Sequence, residues 1–88
     1  MEGINLRIDF KFELPEDLQN SFWNSFIDHI ERYNFLFGGG HSETYFKGYI
    51  DVSENDRFSD HELIRIMEDF INDNDSIIDS YTLKPDVG

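Results

Sequence analysis

Ile4-Asn5-Leu6-Arg7-Ile8-Asp9-Phe10-Lys11-Phe12-Glu13-Leu14 places an apolar residue at every even position and a polar one at every odd position. Alternation of period two is the pattern of a strand with one face in a core and the other in water. The stretch predicts a half-buried strand over residues 4–14. Its even face, rich in Ile and Phe, needs a second layer to cover it. The next segment of the chain supplies that layer.

Pro15 ends the alternation, and Glu16 and Asp17 come next, where a helix dipole favours acids. Leu18, Phe22, Phe26, Ile30 and Tyr33 then recur at three- and four-residue spacing, flanked by Trp23 and Ile27. That stripe predicts an amphipathic helix over residues 16–33, ending at Asn34. Phe35-Leu36-Phe37 reads as a short strand and Gly38-Gly39-Gly40 as a hairpin loop. Alternation resumes from Thr44 to Val52, with Phe46, Gly48, Ile50 and Val52 on one face and Tyr45, Lys47, Tyr49 and Asp51 on the other. After a polar stretch, Ser59 and Glu62 form the S-x-x-E pattern of a capping box. Leu63, Ile66, Met67, Phe70 and Ile71 continue it as a helix over residues 60–72. Asn72-Asp73-Asn74-Asp75 breaks that helix. Residues 77–83 read as a last strand and residues 84–88 as a tail.

The order β-α-β-β-α-β predicts one α+β domain over residues 1–88. Its expected form is a ferredoxin-like sandwich, a four-stranded antiparallel sheet with two helices on one face. The first and third strands are then central. Arg7, Asp9, Lys11 and Glu13 lie beside Tyr45, Lys47, Tyr49 and Asp51 on the open face of the sheet.

Composition narrows the function. The 88 residues include no Cys, which excludes disulfide scaffolds, thiolate metal sites and thiol catalysis. Seven Lys and Arg stand against 19 Asp and Glu, a formal net charge of −12. Such a chain repels phosphate backbones, so direct binding to DNA or to an anionic membrane is not expected. A basic protein surface is the natural complement. The longest apolar run is three residues, Phe35 to Phe37, and no basic segment followed by an apolar one opens the chain. A cytoplasmic protein is therefore expected. The sequence leaves the oligomeric state open.

Enzymatic and metal chemistry find little footing. No serine sits in a nucleophile elbow. His29, His41 and His61 have no ligand spacing, and the acidic stretch from Asp69 to Asp79 lacks the central Gly and terminal Glu of a calcium loop. No cofactor and no catalytic residue are expected. Lys47-Gly48-Tyr49-Ile50-Asp51-Val52 is superficially like the aromatic third strand of an RNA-recognition sheet. However, Asp51 stands where a second stacking ring is needed, and the first strand turns its rings to the core.

Two groups of binding residues stand out. One is Gly38, Gly39, Gly40 and His41 with the open-face Tyr45, Lys47 and Tyr49. Consecutive glycine N–H groups can cradle an anion, which makes a small-ligand or anion binder an alternative function for the chain. The other is Glu68, Asp69, Asp73, Asp75 and Asp79, five acids in twelve residues with no Lys or Arg among them. Residues 51–88 hold 11 acids and 3 bases, residues 1–50 hold 8 and 4, so the acidity leans toward this second group.

Phe12-Glu13-Leu14-Pro15-Glu16-Asp17-Leu18, Phe26-Ile27-Asp28, Phe37-Gly38-Gly39-Gly40-His41 and Phe46-Lys47-Gly48-Tyr49-Ile50 together resemble the YggL-type family, small bacterial proteins associated with the large ribosomal subunit. The likeness runs from about Ile4 to Ile71. Its most specific part is a glycine run followed closely by an aromatic-x-Gly-aromatic strand. The chain departs from the family at both ends. It starts at the strand, without the basic extension some members carry, and Tyr81 to Gly88 is not rich in aromatics. The resemblance implies a noncatalytic role on the ribosome and a role for the glycine run; with the ribosome as target, the charge leads one to expect a basic ribosomal protein at the acidic edge. The alternative is an acidic mimic or antagonist of nucleic acid, of phage or mobile-element type, that occupies a basic groove.

Overall fold

The computed structural model describes residues 1–86. Its elements are β1 (Gly3–Phe10), α1 (Glu16–Glu31), β2 (Leu36–His41), β3 (Tyr45–Asp51), α2 (Asp60–Asp73) and β4 (Ile78–Asp86). The sheet order is β2-β3-β1-β4 with every pairing antiparallel. This is the ferredoxin-like βαββαβ arrangement, with β1 and β3 central.

Register explains the layering. Ile8 pairs with Phe46 and Ile4 with Ile50, placing four fully buried side chains on one face. Phe22, Phe26 and Ile30 of α1 and Leu63, Ile66, Met67, Phe70 and Ile71 of α2 join them in one cluster. Both helices therefore cover the same face. The centre of the cluster is aromatic. The Phe46 ring lies 5.1 Å from Phe22 and 5.0 Å from Phe26, both edge-to-face. Phe37 stacks on it at 5.4 Å. Edge-to-face pairs each add about 0.5–1.5 kcal/mol beyond area burial.

The helices start and stop for local reasons. Ser59 and Glu62 form a complete capping box: Glu62 N–H donates to Ser59 Oγ at 3.3 Å, and Ser59 N–H to Glu62 Oε1 at 3.4 Å. Pro15 caps α1 with no side-chain hydrogen bond, leaving Glu16 and Asp17 to complement the dipole. At the other end Asn34 adopts a φ of 61°, the left-handed conformation that closes a helix and which Asn tolerates. The helix proper stops at Glu31, two residues before the expected end.

Three expectations are corrected. First, β1 ends at Phe10 and not at residue 14. Beyond Phe10 the chain leaves the β1 ladder and bridges two neighbouring turns. Lys11 N–H donates to Ile77 O at 2.9 Å, and Leu14 N–H to Glu43 O at 2.8 Å. Phe12 is consequently 49% exposed while Leu14 stays buried, and Lys11 and Glu13 are off the sheet. Leu18, in the first turn of α1, is also exposed. Second, Gly38, Gly39 and Gly40 are not a hairpin loop. They lie within β2, opposite Tyr49, Gly48 and Lys47. Ser42-Glu43-Thr44 makes the turn, closed by Ser42 N–H to Tyr45 O at 2.8 Å and Thr44 N–H to Ser42 Oγ at 3.2 Å. Glycine is needed here for close approach. A Cβ on Gly39 would run into the Lys47 carbonyl and the Gly48 Cα, and one on Gly48 into the Phe37 ring. Third, β4 runs to Asp86, so Lys84 to Asp86 are strand and not tail; Val87 and Gly88 lie outside the described residues. Its alternation is poor because it is an edge strand, exposed over most of its length.

Candidate binding surfaces

The open face carries the odd-numbered residues of β1 and their partners: Asn5, Arg7 and Asp9; Tyr45, Lys47, Tyr49 and Asp51; Ser80, Thr82, Lys84 and Asp86. Leu36, Gly38 and Gly40 continue it onto β2. Its groups are largely paired with one another. The Arg7 guanidinium donates to Asp9 from Nη2 at 3.0 Å and from Nε at 3.2 Å. The same guanidinium lies 5.1 Å from the Tyr45 ring centroid, and Lys47 Nζ lies 5.4 Å from it. Tyr45 is thus flanked by two cations, a favourable use of its ring quadrupole. Asp51 accepts from Ser53 Oγ at 2.6 Å and Ser53 N–H at 2.9 Å, which holds its carboxyl below its ordinary value.

Tyr49 is also occupied. Its ring lies over Gly3, where any Cβ would strike it, and its hydroxyl donates to Asp86 at 3.2 Å. Desolvation first, then the Asp86 hydrogen bond, push this phenol above its ordinary value.

Charge is unevenly spread: α1 and α2 hold nine acids and one base, and turns and strand ends hold the rest of the excess. Arg7, Lys47 and Lys84 balance Asp9, Asp51 and Asp86, so the open face is formally neutral. Of 19 acids and 7 bases in the chain, these six cancel; 16 acids and 4 bases elsewhere carry the whole net charge of −12. Exposed carboxylates line α1 (Glu16, Asp17, Asp28, Glu31) and α2 (Asp60, Glu62, Asp69, Asp73).

The second expected group is divided: Glu68 and Asp79 lie toward β4, whereas Asp69 lines a cleft with Tyr33, Phe58 and Arg65 on the α1 side of α2. Glu68, Asp69 and Asp73 belong to α2, Asp75 to the turn after it, and Asp79 is the extra residue of a bulge where the β1–β4 register shifts. Tyr81 Oη donates to Glu68 at 3.4 Å, tying α2 to β4. The last turn of α2 holds no base to offset Asp73. The glycine group lies at the opposite edge, on β2. The two expected groups are therefore separate surfaces.

His41 faces the helices, unlike Gly38 and Gly40. Its ring packs 5.4 Å from Trp23, and its Nδ1 lies 3.1 Å from Gln19 Oε1. Gln19 Nε2 donates to Leu14 O at 2.9 Å, which makes Oε1 the acceptor and Nδ1–H the donor. A broad cleft of about 590 Å³ opens beside it, with Glu13, Glu16 and Glu43 at its rim. Sequence reading missed this cleft because it treated the glycine run as a loop. Reading the run as a strand puts His41 in phase with Phe37 and hence on the helix side. Among the described residues no three His, Asp or Glu side chains converge to hold a metal ion, and no helix is long and apolar enough to cross a membrane.

No family model matches the chain, and no similar curated protein or solved structure was found by comparison of sequence or fold.

Proposed function

We propose that this protein is a noncatalytic binding module whose acidic helical side docks on a basic protein surface, with the large ribosomal subunit as the favoured location. The observation that carries the reading is the division of charge: a neutral sheet face against a remainder that holds all of the −12. Acids are kept at the C-terminal end of α2, where they oppose the helix dipole. Carboxylates retained against local stability fit a task for that surface, and electrostatic attraction supplies encounter rate and partner choice. The ribosomal location rests on the YggL-type resemblance.

The same carboxylate-lined helices favour a second reading, occupation of a groove that otherwise holds nucleic acid. One experiment separates the two. The tagged protein is co-sedimented with ribosomes and with separated subunits, at low and then moderate salt. Co-migration with the large subunit that weakens as salt rises supports the first reading. Recovery only in the free fraction at both salts overturns direct ribosome binding. Displacement of DNA or RNA from a purified basic protein would then support the second.

A further inference from the structure

The two edges of the sheet are protected very differently. β4 carries the devices that keep a free edge from pairing: Lys84, Pro85 and the bulge at Asp79. β2 has none of them. Its six residues, Leu-Phe-Gly-Gly-Gly-His, contain no Lys, Asp or Glu, no Pro and no bulge, and among the described residues no strand lies beside its outer edge. Leu36 is 69% exposed at one end. Gly39 has a packing reason within the hairpin, but a Cβ on Gly38 or Gly40 would meet nothing within 4 Å. Glycine in a strand often marks a bulge, a bend, or the close approach of a ligand or another backbone, and β2 has no bulge.

Charge decides what fits this edge. At the His41 end lies the cleft rimmed by Glu13, Glu16 and Glu43. At the Leu36 end a smaller cleft of about 120 Å³ is lined in part by Asp51 and Glu54. Pairing two copies edge to edge, in either direction, would bring acidic ends against acidic ends. We infer that β2 accepts, as a fifth strand, an extended segment of a basic partner, with cationic side chains at its two ends and small or β-branched residues between them. Six residues of strand span roughly 20 Å, which sets the spacing of the two cationic ends. Main-chain hydrogen bonds then supply affinity and the end charges supply choice, as in other cases of strand addition. This inference rests on the basic-partner reading above and adds a second contact to it, at the sheet edge opposite β4.

The test uses the octapeptide Lys-Arg-Val-Thr-Val-Thr-Lys-Arg and a control of equal charge with Pro in place of both Val. Backbone amide exchange of the full-length protein is followed by NMR with each peptide, and sedimentation velocity gives the mass of the protein alone. The strand-forming peptide should slow exchange of alternate amides in β2 on the order of tenfold or more, and the Pro peptide should not. Gly38→Lys should abolish that protection without lowering Tm, and Gly38→Thr should keep it. Equal binding of both peptides without protection of β2 overturns strand addition and leaves the basic-partner reading standing. Binding of neither peptide overturns strand addition, and the basic-partner reading is then decided by the co-sedimentation experiment alone. A dimeric protein whose β2 amides are already protected assigns the edge to a second copy and overturns the inference.

Discussion

The phenol of Tyr49 crosses over Gly3 to reach Asp86, so a β3 side chain ties itself to β4 across the central strand. Gly3→Ala should force the ring off this path and press on the Ile50 carbonyl. Overpacking of this kind costs about 1–3 kcal/mol. Tyr49→Phe removes only the hydrogen bond and should lower Tm by less. Chemical denaturation of both variants checks the ranking; equal losses would show that the ring position carries no strain.

The three consecutive glycines should respond with opposite signs. Gly38→Ala and Gly40→Ala place a methyl in open space within a strand. Each should raise stability by about 0.5–1 kcal/mol, the usual penalty of strand glycine. Gly39→Ala, and likewise Gly48→Ala in the facing strand, should destabilise, because the methyl meets backbone or the Phe37 ring. Thermal melts of the four single variants decide this.

The open face also sets two pH limits. The Asp51 carboxyl is held below its ordinary value by Ser53, so its contribution is present above the ordinary range and is lost as pH falls through the lower folded value. Tyr49 is raised, so its contribution is present below the ordinary phenol range, about pH 10, and is lost above it. Stability against pH should therefore bend at both extremes. Ser53→Ala should flatten the acid limb and Tyr49→Phe the alkaline one.

Asp73 sits in the last turn of α2, where the dipole disfavours it and no base compensates. Asp73→Asn should raise stability by a few tenths of a kcal/mol. The same change should weaken salt-sensitive binding to a basic partner. Paired melting and co-sedimentation measurements test the exchange of stability for binding. A variant that is more stable and binds equally well would remove Asp73 from the contact surface.

The fold was legible because β1, α1, β3 and α2 announce their own periods. Ile4, Leu6 and Ile8 of β1 and Phe46 and Ile50 of β3 are buried, and Ser59 with Glu62 marks the start of α2 by the chemistry of its cap. The errors share one physical origin, in that local patterns do not show what lies across from them. Phe12 keeps the alternation of Ile8 and Phe10, yet hydrogen bonds to Glu43 and Ile77 draw the chain off the ladder there. Gly38 to Gly40 read as a turn because glycine usually turns. What holds them straight is Gly48, ten residues beyond Gly38, whose missing side chain makes room for Phe37. The pairing of His41 with Gln19 spans 22 residues and depends on that same correction.

The register also governs when the sheet can be completed. Gly3 pairs with Asp51 on one side and Asp86 on the other, so β1 needs both β3 and β4, which follow it in the chain. Until residues 78–86 leave the synthesis machinery, β1 has a bare edge and the helix pair rests on three strands. Such non-local pairing slows folding relative to helical proteins of similar size. A nascent chain halted before Ile78 should be protease-sensitive, and one released beyond Asp86 resistant.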